Sequence, residues 1–429
     1  MRSDTIPISE ERTSETRVVR FGWVRLGTLL AGLAALAAYL LPRLTSPGPH
    51  WPRSDVNVYW WGGHQAVRDA AIYAPAALYH FTYPPFAAVL FGIGADAPVI
   101  YMKDAITAGS VFALVALCWM VLGATGVRRR PETVFAVVAF ALLALPVAKT
   151  LQLGEVDLIV ATLVGVDLLP RRNDGHWWQG IATGLAAAIK LTPLIFVVYL
   201  LITRRVRAAA MAAATFAATL AAGFVLLPSQ SRTFWLGGVF LNGHRAGNPA
   251  NSGNQSLSGA LARLSGGLGA TSPWWLAMAL LTGLAGIMIA AWAHQRGHRL
   301  AGVACCAITG LLVSPISWTH HWVWAVPLLV ALIATAWRRR SGWYGLAALV
   351  AAAVFSDVTP TSSPGFQHSS GQVLASDIYV LCGLAVLMGT ATVLAREWAS
   401  AAPRHADQPG GRGHDGSRKS VGSSANSTT

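Results

Sequence analysis

Charge is what this chain has least of. Only 12% of its 429 residues are Asp, Glu, Lys or Arg, against roughly a quarter in an ordinary water-soluble domain. A soluble protein of this length needs a large polar exterior, and runs such as 29–41 and 111–123 offer almost none. Their natural solvent is lipid. Acidic residues are the scarcer sign, 18 against 32 Lys and Arg, for a net charge of +14. The arginines lie in short clusters between apolar runs and not along one amphipathic face, which excludes a nucleic-acid-binding surface. Two or three per loop is also few for a polybasic lipid patch, so the clusters read as topology signals. Cysteine is sparse as well. Cys118, Cys305, Cys306 and Cys382 all fall inside apolar runs, and the adjacent pair lacks the CxxC spacing of zinc or redox sites, so all four read as small core residues. Residues 1–20 are polar and mixed in charge with no small-residue cleavage site after them, so the chain reads as inserted and not secreted. No repeat of fixed period is present.

What is there is a series of apolar runs bounded by Arg, Pro or polar turns. A membrane span needs about 20 such residues, fewer where neighbours shield it. The runs lie at 21–41, 99–125, 132–149, 156–170, 178–190, 191–203, 207–227, 274–293, 299–314, 318–336, 341–355 and 376–395. The fold expected is all-α, a polytopic bundle of about 12 transmembrane helices over 21–395, with a cytoplasmic segment at 1–20 and a disordered cytoplasmic tail at 396–429. With the N-terminus inside, Arg17, Arg20, Arg128 to Arg130, Arg171, Arg172, Arg204 to Arg207, Arg296 to Arg299 and Arg338 to Arg340 all fall on one side, as the positive-inside rule requires. This demands that Tyr83 to Pro98 not span and that 178–203 turn back at Lys190 to Pro193, where prolines supply the breaks. Large outer loops are then expected at 42–98, 228–273 and 356–375.

The polar chemistry gathers on that outer side. Asp55 follows the first span beside Tyr59, Trp60 and Trp61, where desolvation can make a carboxylate a base; equally, Ser54 or Asp55 could cap a helix running from Val56. The stretch from Tyr79 to Pro85, with Tyr83 in it, suits stacking on a sugar or an interfacial aromatic girdle. In LQLGEVD, Gln152, Glu155 and Asp157 stand together at two helix ends, where polar groups are costly. Hydrogen bonding to sugar hydroxyls is favoured over a metal, because no third acid or His is nearby in sequence. Lys190 interrupts an apolar wall and can meet a phosphate or snorkel to headgroups. The second outer loop carries Arg245 and the amides Asn254 and Gln255, groups that both donate and accept as carbohydrate requires, although a mobile loop has the same composition. Finally SPISWTHHWVW sets His320 and His321 beside Trp318 at the outer start of a helix. Either histidine could orient a carboxylate or bond a phosphate, and ligands for a zinc site are not in view.

Together SDVNVYWWGG, FTYPPF, LQLGEVD, AIKLTPLIF, NQSLSGALARL and SPISWTHHWVW, over about residues 50–330, resemble the actinobacterial polyprenyl-phosphomannose-dependent α-mannosyltransferases of glycosyltransferase family 87. The resemblance implies the GT-C fold and an acidic base in the first periplasmic loop, and with it a periplasmic active site. That gives Asp55 the base role, with His320 or His321 as its partner. It implies inverting transfer of mannose from polyprenyl-phosphate-mannose, giving an α-(1,2) linkage on a phosphatidylinositol mannoside or on lipomannan or lipoarabinomannan, with no further cofactor. Polyprenyl phosphate leaves already charged, so one base and one cation suffice, and Lys190 or Arg245 would hold the phosphate. One departure stands out: the family implies an amide-rich turn where this chain has Glu155 and Asp157. The competing class is a polytopic transporter or lipid flippase, which would carry paired repeats and mid-membrane ionisable groups.

Overall fold

The computed structural model describes residues 8–45, 52–74, 80–170, 174–266, 272–356 and 375–401. Helices dominate, and no strand occurs among the described residues, only two isolated bridges, Ala144 with Ser356 and Asn254 with Trp318. The order is α1 (Ile8–Thr45), α2 (Ser54–Val67), α3 (Pro85–Gly92), α4 (Val99–Ala124), α5 (Pro131–Ala141), α6 (Leu145–Leu153), α7 (Asp157–Leu168), α8 (Ile181–Ile189) and α9 (Ile195–Ile202). Then come α10 (Val206–Leu226), α11 (Pro228–Ser231), α12 (Leu257–Ser265), α13 (Pro273–Gln295), α14 (Arg299–Val313), α15 (Ala325–Arg339), α16 (Gly342–Val354) and, last, α17 (Ile378–Ala401). Six helices among the described residues are long and apolar enough to cross a bilayer, and four shorter apolar ones accompany them. Their outward residues are apolar too: Leu280, Leu281, Leu284 and Met288 of α13 are all at least 60% exposed, a surface that only lipid would cover without cost.

The breaks have local causes. The run expected to span 132–149 is two helices. Pro146 cannot donate to the carbonyl four residues back, so α5 stops at Ala141 and α6 starts at Leu145. The freed backbone is satisfied elsewhere, since Leu145 N donates to Phe355 O at 2.6 Å. At the chain's start the helix begins at Ile8, inside the segment expected to precede the first span. At its end α17 runs on to Ala401. Tyr79, Arg171, Arg172, residues 357–374 of the third expected outer loop and 402–429 of the tail lie outside the described residues.

The short helices α8 and α9 reverse direction through an extended Lys190 and a 3-10 turn at Thr192–Leu194, and both pack on α10. Close approach of α8 to α10 depends on Gly184, where a Cβ would stand 2.5 Å from Ala212 O. Reversals of this kind give the bundle two polar ends. At one, Arg299 and Arg205 bind Asp174, and His298 and Arg339 meet Glu397. At the other, Asp55, Glu155, Asp157, Lys190 and His320 converge. Between them one apolar core includes the fully buried Tyr59, Leu114, Leu158, Tyr199 and Trp322.

Candidate active site

The carboxylate end is assembled by backbone contacts between segments far apart in sequence. Arg53 adopts a left-handed conformation (φ 47°, ψ 46°), and its N–H donates to Gln152 O at 2.9 Å. Opposite it, Gly154 has φ 77°, and a Cβ there would lie 2.4 Å from Val56 Cγ2, so only glycine lets the two chains come this close. Arg53 Nη1 also reaches Asp104 at 2.6 Å. This clamp sets the first turn of α2 against the α6–α7 turn, and with it Asp55 against Glu155. The N-cap residue of α2 is Arg53, and no side chain caps it. Ser54 Oγ instead donates to Asp55 Oδ1 at 3.0 Å, so neither residue serves as the cap the sequence allowed.

Around Glu155 the surroundings are polar and dry. Tyr59 Oη donates to its Oε2, and Tyr83 Oη does so at 3.1 Å, with the two phenols 3.0 Å apart. His320 Nε2 stands 3.5 Å from Glu155 Oε1 and 4.0 Å from Asp157 Oδ2. Lys190 Nζ is 2.7 Å from Asp157 Oδ1, both side chains being largely buried. Donor atoms of Asp55, Glu155 and His320 lie within 4.8 Å of one another, as do those of Asp157, His320 and His321. Either triplet is compact enough to surround a cation, and Lys190 supplies a positive charge there from within the chain. Asp157 Oδ2, His320 Nε2 and His321 Nδ1 are buried with no hydrogen-bond partner among the described residues, polar atoms that water, an ion or a substrate can complete.

The two facing carboxyls differ in proton affinity. Burial, and then the charge and hydrogen bond of Glu155, push Asp55 up to about 8. Burial also opposes ionisation of Glu155, but the Lys190 ammonium and His320 outweigh it and hold Glu155 well below the usual carboxylate range. The site thus holds one firm anion and one carboxyl that exchanges its proton near neutral pH.

Other residues singled out in the sequence fall in three places. Tyr83 is buried against Glu155. Gln152 contributes its carbonyl to the Arg53 clamp. Asn254 and Gln255 are fully buried scaffolding: Asn254 Oδ1 accepts from Ser317 N at 2.8 Å, its Nδ2 donates to Pro249 O at 2.9 Å, and Gln255 Oε1 accepts from Tyr379 N at 3.1 Å. Gln255 N donates to Ser317 O at 2.7 Å and Thr319 N to Gly253 O at 3.0 Å, which ties this loop to the segment that leads into His320. Trp318 lies half-buried, its ring against Gly247 and Gly253. Arg245 sits near Tyr73, whose Oη donates to Tyr83 O at 2.7 Å, and its Nε and Nη2 are buried without a hydrogen-bond partner among the described residues. Three contributors carry no motif in the sequence. Tyr59 stands there only as an aromatic neighbour of Asp55, Thr150 donates to the His320 carbonyl at 3.3 Å, and Asp377 forms a buried ion pair with Arg263. A lone acid at the head of the last apolar run was the one signal for Asp377.

A many-helix membrane protein with carboxylates, a lysine and histidines converging at one end has the layout of a membrane-embedded glycosyltransferase. The profile of glycosyltransferase family 87 matches residues 81–315, and the chain belongs to that family. It is similar, at 33% identity over 88% of this chain and 95% of the relative, to a Mycolicibacterium smegmatis protein named polyprenol-phosphate-mannose-dependent alpha-(1-2)-phosphatidylinositol mannoside mannosyltransferase. A Mycobacterium tuberculosis protein of the same name is 35% identical over 73% of this chain and 77% of its own length. Another M. tuberculosis relative, a phosphatidylinositol pentamannoside mannosyltransferase, is 33% identical over 67% of this chain and 68% of its own. No solved structure matches the chain. Asp55, His320 and His321 all lie outside the span that the family profile matches, so their convergence with Glu155 and Asp157 is an observation independent of it.

Proposed function

We propose that this glycosyltransferase moves mannose from polyprenyl-phosphate-mannose to a phosphatidylinositol mannoside or lipomannan-type acceptor, with inversion, forming an α-(1,2) linkage. The donor and the linkage come from the names of its relatives. What supports the chemistry on this chain is the placement of Asp55 against Glu155 and His320. The acceptor oxygen attacks the anomeric carbon on the face opposite the phosphate, the new glycosidic C–O bond forms as the bond to the phosphate oxygen breaks, and the hydroxyl proton passes to Asp55. Polyprenyl phosphate departs as an anion, so no general acid and no further cofactor enter the step.

A base with a raised pKa is a stronger base, and Asp55 at about 8 gains proton-transfer driving force while keeping a usable ionised fraction near neutral pH. Arg245 suits the phosphate. Two of its guanidinium nitrogens have no hydrogen-bond partner among the described residues, whereas Lys190 already has Asp157 as its partner. Lys190 then acts one layer back, keeping the carboxylate cluster neutral enough to accept an anionic donor. The carboxylate end faces outward on this reading, because the arginine clusters collect at the opposite end of the bundle.

The test is transfer of labelled mannose in nanodiscs from polyprenyl-phosphate-mannose to a purified phosphatidylinositol mannoside. Asp55→Asn keeps the size of the side chain and loses its basicity, and it should cost on the order of 10²–10⁴ in kcat with the fold intact. In the unaltered protein kcat/KM should rise with pH and level off near the Asp55 value of about 8, since Asp55 must lose its proton to act. Near-normal transfer by a folded Asp55→Asn protein would remove this residue as the base.

A further inference from the structure

The sequence groups Glu155 with Asp157 as a partner for sugar hydroxyls, but its surroundings leave it no such freedom. One oxygen accepts from both Tyr59 and Tyr83. The other faces His320 Nε2 at 3.5 Å, and the residue is only 6% exposed. Two phenols can only donate to a carboxylate oxygen placed between them, so these surroundings suit an ionised, acceptor-only group. A carboxylate oxygen of Asp55 lies within 4.8 Å of an oxygen of this occupied carboxylate. Two buried carboxyls this close favour a single proton between them, and Glu155, whose Oε2 already accepts two phenol hydrogen bonds, is the poorer carrier.

We propose that Glu155 is the positioning residue of Asp55: it remains ionised beside Asp55 and shares the proton that Asp55 takes from the acceptor hydroxyl, which raises the basicity of Asp55 and orients its carboxyl. This rests on the mannosyl-transfer reading for the identity of the acceptor, but the proton sharing does not. The other groups around Asp55 are accounted for. Lys190, from the end of α8, works against Glu155 by favouring the Asp55 anion. On α4, Asp104 is tied to Arg53, and Lys103 reaches Pro52 O at 3.4 Å. α6, which also packs on α2, carries Lys149; His320 stands within 4.8 Å of both Asp55 and Glu155, and Asp157 is tied to Lys190. Of these only Glu155 combines proximity to Asp55 with a set of anchors that leaves it nothing else to do.

The experiment uses the full chain in nanodiscs and reads the proton without needing turnover. Dicyclohexylcarbodiimide modifies protonated carboxyls in apolar surroundings, and mapping the modified peptides across pH shows which member of the pair carries the proton. In the unaltered protein the label should appear on Asp55 at neutral pH, fade as pH rises through about 8, and spare Glu155. In Glu155→Gln the labelling midpoint of Asp55 and the acid limb of kcat/KM should both move to lower pH by about one unit, while Glu155→Asp, which keeps the charge, should leave the limb in place and lower kcat. Label on Glu155, label on neither residue, or an unmoved midpoint in Glu155→Gln overturns the proposal. Should Glu155→Gln fail to fold, the labelling of the unaltered protein decides alone. Absence of mannosyl transfer with the expected labelling would sink the functional reading and leave this one standing.

Discussion

At the arginine end of the bundle, Asp174 receives two hydrogen bonds from Arg299, at 2.6 and 2.7 Å, and a third from Arg205 at 2.8 Å. At the carboxylate end, Asp55 faces a second carboxylate, and the lysine present binds a third. Both ends take charge out of water, but the first matches each anion to a fork of donors, as a structural ion pair does. The second places like charges together and leaves Asp157 Oδ2, His320 Nε2 and His321 Nδ1 without hydrogen bonds among the described residues. The arginine end is not wholly satisfied either, since Asp167 Oδ1 and Arg205 Nη1 also lack partners there. The distinction is that only the carboxylate end sets groups of opposed proton demand side by side, which perturbs their chemistry and does little for stability.

That comparison can be broken most directly by removing one cation from each end. Lys190→Ala leaves Asp157 buried and unpaired, which should cost about 3–5 kcal/mol of stability and most of the activity. Asp157→Asn combined with Lys190→Met should recover much of the stability and none of the activity. Arg299→Ala strips a partner from Asp174, whose side chain is 48% exposed, so solvent takes up part of the loss and about 1–2 kcal/mol is expected, with kcat per folded molecule unchanged. Thermal unfolding in nanodiscs alongside initial rates checks both. Equal loss of kcat in the two single variants would mean the arginine end is part of the catalytic machinery.

The two histidines sharpen the comparison inside the site. His320 lies between Glu155 and Asp157, and its carbonyl is held by Thr150, whereas His321 joins only the Asp157 triplet. His320→Ala should therefore lower kcat on the order of 10²-fold, and His321→Ala by about tenfold or less. Rates for the two alanine variants at matched folded concentration decide it, and the reverse ranking would move the partner of Asp55 to His321.

Much of this layout was legible from the sequence because membranes impose coarse rules. Long apolar runs and arginine clusters mark helix bodies and ends, and the bounds of α4, α10, α13 and α14 fall within two residues of the runs read from composition. The break at Pro146 is hard to read in the sequence because no charged residue interrupts 133–148, and it is the pairing of Leu145 with Phe355 that satisfies the freed backbone there. Asp55, Glu155, Asp157, Lys190 and His320 could be picked out as polar groups in costly places. Their division of labour could not, because it depends on who faces whom. Asn254 and Gln255 look like sugar ligands in a list of residues, yet they are buried holding the approach to His320. Tyr59 reads in the sequence as an aromatic neighbour of Asp55, and it is a donor to Glu155.

The smallest effect expected is the one that separates binding from chemistry. Arg245, in the segment between α11 and α12, has no carboxylate partner among the described residues, and its buried Nε and Nη2, unpaired there, are costly unless an anion completes them. If that anion is the donor phosphate in ground state and transition state alike, Arg245→Ala should raise the donor KM by about tenfold, the loss of roughly one charge-assisted hydrogen bond, and change kcat little. The acceptor KM should stay put, because the acceptor hydroxyl is met by Asp55 at the far side of the anomeric carbon. Arg245→Lys keeps the charge but not the fork, so it should recover only part of the donor affinity. Initial-rate titrations of each substrate at saturation of the other give all four constants. An equal rise in both KM values would place Arg245 in loop folding, and a fall in kcat at unchanged donor KM would mean that it meets the phosphate only as the glycosidic bond breaks.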